Sequence, residues 1–308
     1  MKKTKGIPGH GAFTAERLAR ALLLICAVAA IFAVCAITFY LFAKGLPALH
    51  RVGVGELLFG TIWKPTAAEP RFGIAYIILS SIVGTALSVL VGVPVGLLTA
   101  VFLTEVASKH LSAIVQPAVE LLAAIPSVIY GLLGMMLLNP VLYKLEKIIF
   151  AGSTTHQYTG GADLLAAVIV LAIMILPTVI SVSASAIRAV PAQLRAASLA
   201  LGASKMQTIW GVTVPAAKSG ILTGVVLGIG RALGEAMAIN MVAGGSVNLP
   251  LPFNSVRFLT TQLVSEMGYA EGIHRQVLFT VGLVLYLFIM IVNLVLQRLR
   301  REGGKDDG

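Results

Sequence analysis

Two ionisable residues, Arg231 and Glu235, stand in an otherwise apolar stretch, within the sequence G-R-A-L-G-E. An ionisable side chain near the middle of a membrane costs about 2.5 to 3.5 kcal/mol on insertion scales, so two of them require a reason. Residues four apart share one helix face, and an ion pair that locks helix packing is one such reason. The other is a water-accessible pathway, in which the planar guanidinium of Arg231 binds an oxyanion and Glu235 holds or releases it. The pair has no net charge, so charge alone does not indicate whether the substrate is an anion or a cation.

A third ionisable residue, Glu120, begins the sequence E-L-L-A-A-I-P-S-V-I-Y-G. Pro126 removes one helical hydrogen bond, which predicts a kink and free backbone carbonyls near Ser127. Glu120 is then either a carboxyl group satisfied by a partner beside the kink or, together with Ser127, a further part of the pathway. In the second case a long side chain such as that of Arg231 could reach toward it.

The composition indicates which elements must position these groups. With 57% hydrophobic and 12% charged residues, the chain is predicted to be an integral membrane protein rather than a soluble one. A transmembrane helix needs roughly 20 apolar residues. The fifth span should begin near Ser219, because residues 219–230 are also apolar. We predict an all-α protein with six transmembrane helices on the charge-free runs at residues 21–43, 72–104, 121–143, 164–187, 236–256 and 276–297.

The distribution of Lys and Arg predicts the orientation. If both termini are inside, fourteen of these residues are cytoplasmic and eight are outside, with Arg231 left within the membrane. Basic residues are retained on the cytoplasmic side, so we expect cytoplasmic termini and a cytoplasmic loop at residues 188–218. The net charge of +10 then reflects topology and not a nucleic-acid partner. The predicted division is an N-terminal tail at 1–20, a first transmembrane helix and outer loop at 21–71, a transmembrane core at 72–297 and a C-terminal tail at 298–308.

The loop at residues 188–218 is predicted to form a helix-turn-helix outside the bilayer. A helix-forming run begins after Pro191, breaks at Gly202 and resumes from Lys205 to Val214. The spacing resembles the EAA loop of the membrane subunits of ABC importers, although Ala196 stands where that pattern has glutamate. Arg195 could supply a charge one residue away. The residues matching this coupling loop are Arg195, Ala196, Ala197, Ser198, Gly202, Ala203 and Pro215.

The stretches at 120–131 and 230–238 narrow the resemblance. Both look like signatures of the phosphate ABC importer permeases, and G-R-A-L-G-E followed by A-M-A is more similar to the PstC type than to the PstA type. The resemblance implies the fold of type I ABC importer permeases and a heterodimeric pore with a PstA-type subunit, in the bacterial inner membrane. It also implies two cytoplasmic ATPases that bind ATP and Mg²⁺, and a periplasmic phosphate-binding protein. Phosphate would pass Arg231 and Glu235.

This chain itself is expected to be a non-catalytic subunit without a cofactor. It contains no G-x-x-x-x-G-K-[ST] loop for a nucleotide, so the energy must come from a partner. The five histidines are scattered through tails and loops, where we expect them to be solvated, and they predict no metal site. Cys26 and Cys35 lie on one helix and are expected to be small packing residues. The glycines at 228, 230 and 234 are interpreted as helix-packing sites.

Other functions remain open at this stage. A permease for another oxyanion, such as molybdate or sulfate, would share the cytoplasmic loop. An ion-coupled carrier would use Arg231, Glu235 and Glu120 as a proton relay and would need no ATPase. A structural membrane subunit would have no pathway at all. The polar outer segments at residues 152–161 and 244–254 are either the mouth that receives a binding protein or ordinary exposed loops.

Overall fold

The computed structural model describes residues 10–303, so the outermost parts of the two predicted tails, 1–9 and 304–308, lie outside it. Helices dominate the described chain, and a two-residue antiparallel hairpin joins the first span to the second. The helices are α1 (His10–Val52), α2 (Val54–Phe59), α3 (Ala75–Val101), α4 (Lys109–Ala124), α5 (Ser127–Leu133), α6 (Asn139–Ile149), α7 (Leu164–Arg188), α8 (Ala192–Ala200), α9 (Lys205–Thr208), α10 (Val214–Ala216), α11 (Lys218–Gly234), α12 (Met237–Val242), α13 (Leu259–Glu266) and α14 (Gly272–Gly303). The strands are β1 (Trp63–Lys64) and β2 (Arg71–Phe72), and π-helical turns occupy Phe102–Val106, Gly134–Leu138 and Ile209–Thr213.

Five helical stretches in the described residues are long and apolar enough to cross a membrane. They are Glu16–Val52, Ala75–Val106, Ser127–Ile149, Leu164–Arg188 and Gly272–Arg298. A sixth is obtained if α11 is counted with the segment Lys205–Ala216, to which it is bent by 69°. The prediction of an all-α membrane protein with six spans is confirmed in this sense.

The predicted third span begins in the wrong place. α4 ends at Ala124, and Ile125 and Pro126 are extended, with ψ of 127° and 139°. A new helix then starts at Ser127 and continues to Ile149. Proline therefore does more than kink this segment: it separates two helices, and Glu120 lies on α4 and not in the span to which it was assigned.

The predicted fifth span is also interrupted. α11 stops at Gly234, Glu235 is extended with ψ of 130°, and α12 reaches only Val242. Residues 243–258 form no helix and run across the end of the bundle opposite residues 188–218, which we call the far end. The apolar run from 243 to 256 was therefore wrongly assigned to a helix.

α7 lies at the centre of the core, and small residues bring two helices against it. A Cβ at Gly92 of α3 would lie 2.6 Å from Cδ1 of Ile175, and one at Gly228 of α11 would lie 2.9 Å from Cγ2 of Val179. Gly228 is thus a packing site, as predicted. Gly230 and Gly234 have no atom within 4 Å of their ideal Cβ positions, so the same interpretation is wrong for them within the described chain.

α1 packs along α14 and leaves most of its side chains exposed, as expected for a helix that faces lipid. Two hydrogen bonds join the pair, from Thr280 Oγ1 to the carbonyl of Gly45 at 2.7 Å and from Thr38 Oγ1 to the hydroxyl of Tyr286 at 3.0 Å. Cys26 and Cys35 are both exposed, which contradicts their expected role in packing.

Two buried carboxylates organise the far end. Glu146 is fully buried and accepts hydrogen bonds from the ring of His156 at 2.8 Å and the amide of Thr159 at 3.0 Å. Glu266 binds Arg257, the indole of Trp63 at 3.0 Å and the ring of His274 at 2.8 Å. His156 and His274 are therefore paired and mostly buried, and the expectation that all histidines are solvated was wrong.

Asp163 caps the first turn of α7 and gives a pH-dependent prediction. Its Oδ1 accepts from the amide of Ala166 at 2.9 Å, while buried Oδ2 has no partner in the described part of the chain. Burial, opposed by the Ala166 hydrogen bond and reinforced by the charge of Glu146, raises the pKa of Asp163 from 3.8 to about 6. The folded state then binds this proton more tightly than the unfolded state does, so this group makes stability fall as pH rises from about 4 to about 6.

Replacing Asp163 with asparagine should therefore remove that pH dependence. At pH values above 6 it should also raise the temperature of the unfolding midpoint, because no charge is buried and the amide oxygen still caps α7. Asp163→Ala is the matched variant, since it removes both the charge and the cap and should lose about 1 kcal/mol of capping. Unfolding midpoints of the purified protein between pH 4 and pH 8 measure both effects. An unchanged pH profile in Asp163→Asn would contradict the assignment.

Candidate functional site

The two helix breaks, at Ile125–Pro126 and at Glu235–Ala236, lie beside one another. α5 and α12, which follow the breaks, pack together so closely that a Cβ at Gly131 would lie 2.8 Å from the Cα of Ala238. Ile125 and Tyr130 on one side share a single apolar cluster with Ala232 and Ala238 on the other. Broken helices of this kind place backbone polar groups and helix ends inside a membrane protein, where a polar solute can meet them.

Glu235 caps the helix that follows it and does not belong to the helix of Arg231. Its Oε1 accepts a hydrogen bond from the amide of Ala238 at 3.0 Å, and its own carbonyl accepts from Oγ1 of Thr260 at 2.7 Å. The predicted common helix face of Arg231 and Glu235 is therefore wrong, because the backbone leaves the helix at Gly234. Among the described residues, no ion pair joins the two side chains.

Arg231 occupies the last turn of α11 and is half-buried. It makes neither an ion pair nor a hydrogen bond with any residue that the structure describes. The next residue, Ala232, shares an apolar cluster with Tyr130, whose hydroxyl donates to the carbonyl of Leu122 at 2.7 Å. The carbonyl of Leu122 also accepts from the amide of Ile125 at 3.3 Å, so the tyrosine adds a second donor at the break before α5, and the guanidinium of Arg231 keeps its donors available.

Ser127 and Glu120 occupy different positions from those that the sequence suggested. Ser127 is the half-buried first residue of α5, next to the break. Glu120 is exposed on α4, where it accepts from Nε2 of Gln116 at 3.1 Å, and Oε1 of Gln116 in turn accepts from Arg188. These three side chains line an open cavity of about 570 Å³ at the end of the bundle that carries residues 188–218. The structure therefore groups Glu120 with Gln116 and Arg188.

The arrangement at the breaks suits the recognition of an oxyanion. An unpaired guanidinium presents planar donors, and the helix that begins at Ser127 adds amide groups and the positive end of its dipole on the neighbouring side. The carboxylate of Glu235 is occupied by α12 and keeps that helix start in place.

The segment from 188 to 218 has the predicted helix-turn-helix form. α8 ends before Gly202, which has φ of +87°, and α9 begins with a capping box between Ser204 and Gln207. A hydrogen bond of 2.9 Å between Ser198 and Thr208 joins the two helices. Ala196, Ala197 and Pro215 are exposed, Ala203 is half-buried and Arg195 turns toward the bundle. The exposed side chains of the loop are mostly apolar.

Sequence reasoning missed three residues that the structure brings into these sites. Tyr130 lay within a quoted motif but received no role, and Gln116 is an amide in an amphipathic helix with no distinguishing pattern. Glu105 is more visible, since it is the acidic residue that ends the apolar run of the second span. It forms an ion pair with Arg195 at 3.1 Å.

Fold and site together define a multi-pass membrane protein with two helix breaks beside Arg231 and a helix-turn-helix segment at one end of the bundle. Residues 92–302 match the family described as the binding-protein-dependent transport system inner membrane component, and the chain belongs to that family.

Among characterised proteins, the chain is 40% identical to a probable ABC transporter permease protein, YqgH, of Bacillus subtilis, over 91% of this chain and 90% of that one. It is 34% identical to the phosphate transport system permease protein PstC of Xylella fastidiosa, over 84% of each chain. Its fold is similar to that of a chain in a bacterial alginate ABC transporter, with a TM-score of 0.64 at 16% identity, over 95% of this chain and 96% of that one.

Proposed function

We propose that this chain is the PstC-type permease subunit of an ATP-driven importer that moves inorganic phosphate across the bacterial inner membrane. The observation that carries the proposal is the half-buried Arg231, which has no ion-pair partner among residues 10–303, at the junction of two broken helices. An unpaired cation inside a membrane protein is stabilised when an anion passes or binds beside it. The similarity to permeases named for phosphate transport, over most of each chain, supports phosphate as that anion.

The proposed assembly contains a second permease of the PstA type, two ATPase subunits and a periplasmic phosphate-binding protein. ATP and Mg²⁺ belong to the ATPases, and this subunit holds neither a cofactor nor a metal. Both termini and residues 188–218 are cytoplasmic in this proposal, so that the exposed faces of α8 and α9 seat on the ATPases. Residues 152–161 and 244–254 then face the periplasm, and side chains from both segments line one polar cavity of about 730 Å³ at the far end.

In the proposed mechanism, ATP binding draws the two ATPases together and displaces the coupling loop. The permease helices move as rigid bodies, and access to the helix breaks changes from the periplasmic to the cytoplasmic side. Phosphate passes between Arg231 and the start of α5. Arg231 binds the anion through its planar donors while it is desolvated, and hydration on the cytoplasmic side releases it.

Co-purification followed by reconstitution tests this function. The chain should bring down a second permease and two ATPases, and ATP hydrolysis should rise when phosphate-loaded binding protein is added to proteoliposomes. Uptake should depend on ATP, should persist when a protonophore collapses the proton gradient, and should favour phosphate over sulfate and molybdate. ATP-independent uptake would establish the ion-coupled carrier instead, and preference for sulfate or molybdate would establish the other oxyanion permease.

A further inference from the structure

We propose that Arg195 and Glu105 form the link through which the coupling loop moves the end of α3, an inference that rests on the proposed function. Arg195 lies on α8, and its Nη2 is 3.1 Å from Oε1 of Glu105 in the π-helical turn after α3. The same Nη2 donates to the carbonyl of Ile187 at 2.7 Å, in the last turn of α7. One guanidinium therefore joins the loop helix to the ends of two transmembrane helices.

The ion pair is the main polar side-chain contact between α8 and the transmembrane helices. None of the side chains of α8 is buried, and Arg195 is its one charged residue. Its other side-chain hydrogen bond within the described residues, from Ser198 to Thr208, stays inside the loop. Arg195 and Glu105 expose only 28% and 10% of their side chains, so their attraction is weakly screened. α8 follows α7 after three residues, so its side-chain link to the end of α3 is this pair.

The geometry shows that the contact is incomplete in this conformation. Oε1 of Glu105 lies 3.1 Å from Nη2 of Arg195 but accepts no hydrogen bond there, and the buried Nε of Arg195 has no hydrogen-bond partner among the described residues. An arginine and a carboxylate reach full strength when two N–H groups point at two oxygens. A rotation of α8 that points two N–H groups of Arg195 at the carboxylate would complete the contact. The pair can thus tighten or loosen as the loop moves, which is the property required of a transmitting contact.

The position of Glu105 adds to this property. A π-helical turn contains one extra residue per turn and recurs at functional sites. Here it carries the carboxylate to the side of α8, beyond the α-helical part of the second span. Removal of the arginine would leave this carboxylate buried without a cation, and that state is strongly unfavourable. Glu105 should consequently follow α8 whenever the loop is displaced. Both residues are positioning residues and neither contacts the transported anion.

The experiment uses the complete importer in proteoliposomes and measures ATP hydrolysis and phosphate uptake in the same vesicles. Glu105→Gln and Arg195→Met should each lower the phosphate moved per ATP hydrolysed by about tenfold while hydrolysis continues. The exchanged pair, Glu105→Arg with Arg195→Glu, should recover most of the lost ratio. A merely structural pair would change the amount of assembled complex but not this ratio. Arg20→Met is the matched control, because Arg20 forms an exposed ion pair with Glu16 at 3.5 Å and should keep the wild-type ratio.

Unchanged ratios in the single variants, or an exchanged pair no better than they are, would overturn the inference. If the Arg195→Met complex does not assemble, Arg195→Lys is measured instead, because an ammonium group keeps the charge but not the contact with both Glu105 and Ile187. An unaltered ratio of phosphate moved per ATP in Arg195→Lys would also overturn the inference. Failure of the proposed function looks different: the wild-type complex itself would then show no ATP-dependent phosphate uptake.

Discussion

Arg231→Gln should lower ATP-dependent phosphate uptake by the reconstituted importer about a hundredfold, equivalent to ~3 kcal/mol, the scale of removing one member of a desolvated charge pair. Glutamine keeps two N–H donors but is shorter and lacks the positive charge. Because Arg231 has no partner in the described chain, its removal strands no buried carboxylate, and the protein should still insert and bind its ATPases. The loss should therefore appear in uptake, measured with radiolabelled phosphate, and not in the yield of complex.

Two controls accompany this variant. Arg231→Lys should retain part of the activity, since a charge remains without the planar fork. Glu235→Gln keeps an oxygen that can accept from the amide of Ala238, so it should reduce uptake far less than Arg231→Gln does. Wild-type uptake by Arg231→Gln would exclude Arg231 from the pathway and would favour a structural role for the whole α11 end.

Gly161→Ala should destabilise the far end by about 3 kcal/mol or more, since left-handed backbone strain adds to overpacking against the main chain. Gly161 has φ of +79°, and its Cβ would overlap the carbonyl oxygen of Asn139 and lie 2.9 Å from the amide nitrogen of Tyr143. The main chain of α6 cannot move aside as a flexible side chain could. The adjoining segment would be displaced together with the Asp163 cap, so both the unfolding midpoint and stimulation by the binding protein should fall.

Gly160→Ala is the matched comparison. Gly160 has a similar φ of +71°, but nothing lies within 4 Å of its ideal Cβ position. Only the left-handed strain remains, so we expect a loss of about 1 kcal/mol. Thermal unfolding of the two variants side by side separates strain from collision. Equal midpoints would show that the close packing of Gly161 against α6 does not limit stability.

Four of the six spans could be predicted because long charge-free runs have few other stable states than a transmembrane helix. α1, α7 and α14 follow those runs and extend beyond them at one or both ends, whereas α3 begins three residues inside its run and passes its end only with the π-helical turn, at Val106. The coupling loop was also predictable, since Pro191 and Gly202 mark a helix start and stop by local backbone chemistry. The far-end cluster was not, because Glu266 meets Trp63 only after the chain has folded across more than 200 residues.

The functional groups were found but their relationship was not. Spacing of four residues suggested that Arg231 and Glu235 share a face, and that inference assumes an uninterrupted helix. No proline marks the interruption at Glu235; the adjacent glycines Gly244 and Gly245, both with positive φ, were the available sign that helix could not continue to residue 256. Pro126 gave a clearer signal, yet a kink and a complete break cannot be distinguished without knowing what packs beside them.

The two helix interruptions determine where the helices of this protein can bend most easily. At one of them the hydroxyl of Tyr130 donates to the carbonyl of Leu122, and at the other the carboxylate of Glu235 accepts from the amide of Ala238. Side chains therefore bond main-chain groups at both interruptions. Bending at either break would rotate side-chain torsions and interrupt no α-helical hydrogen-bond pattern, whereas α7 is helical from Leu164 to Arg188, with Pro177 inside it. The bundle thus combines two flexible helix interruptions with one stiff central helix.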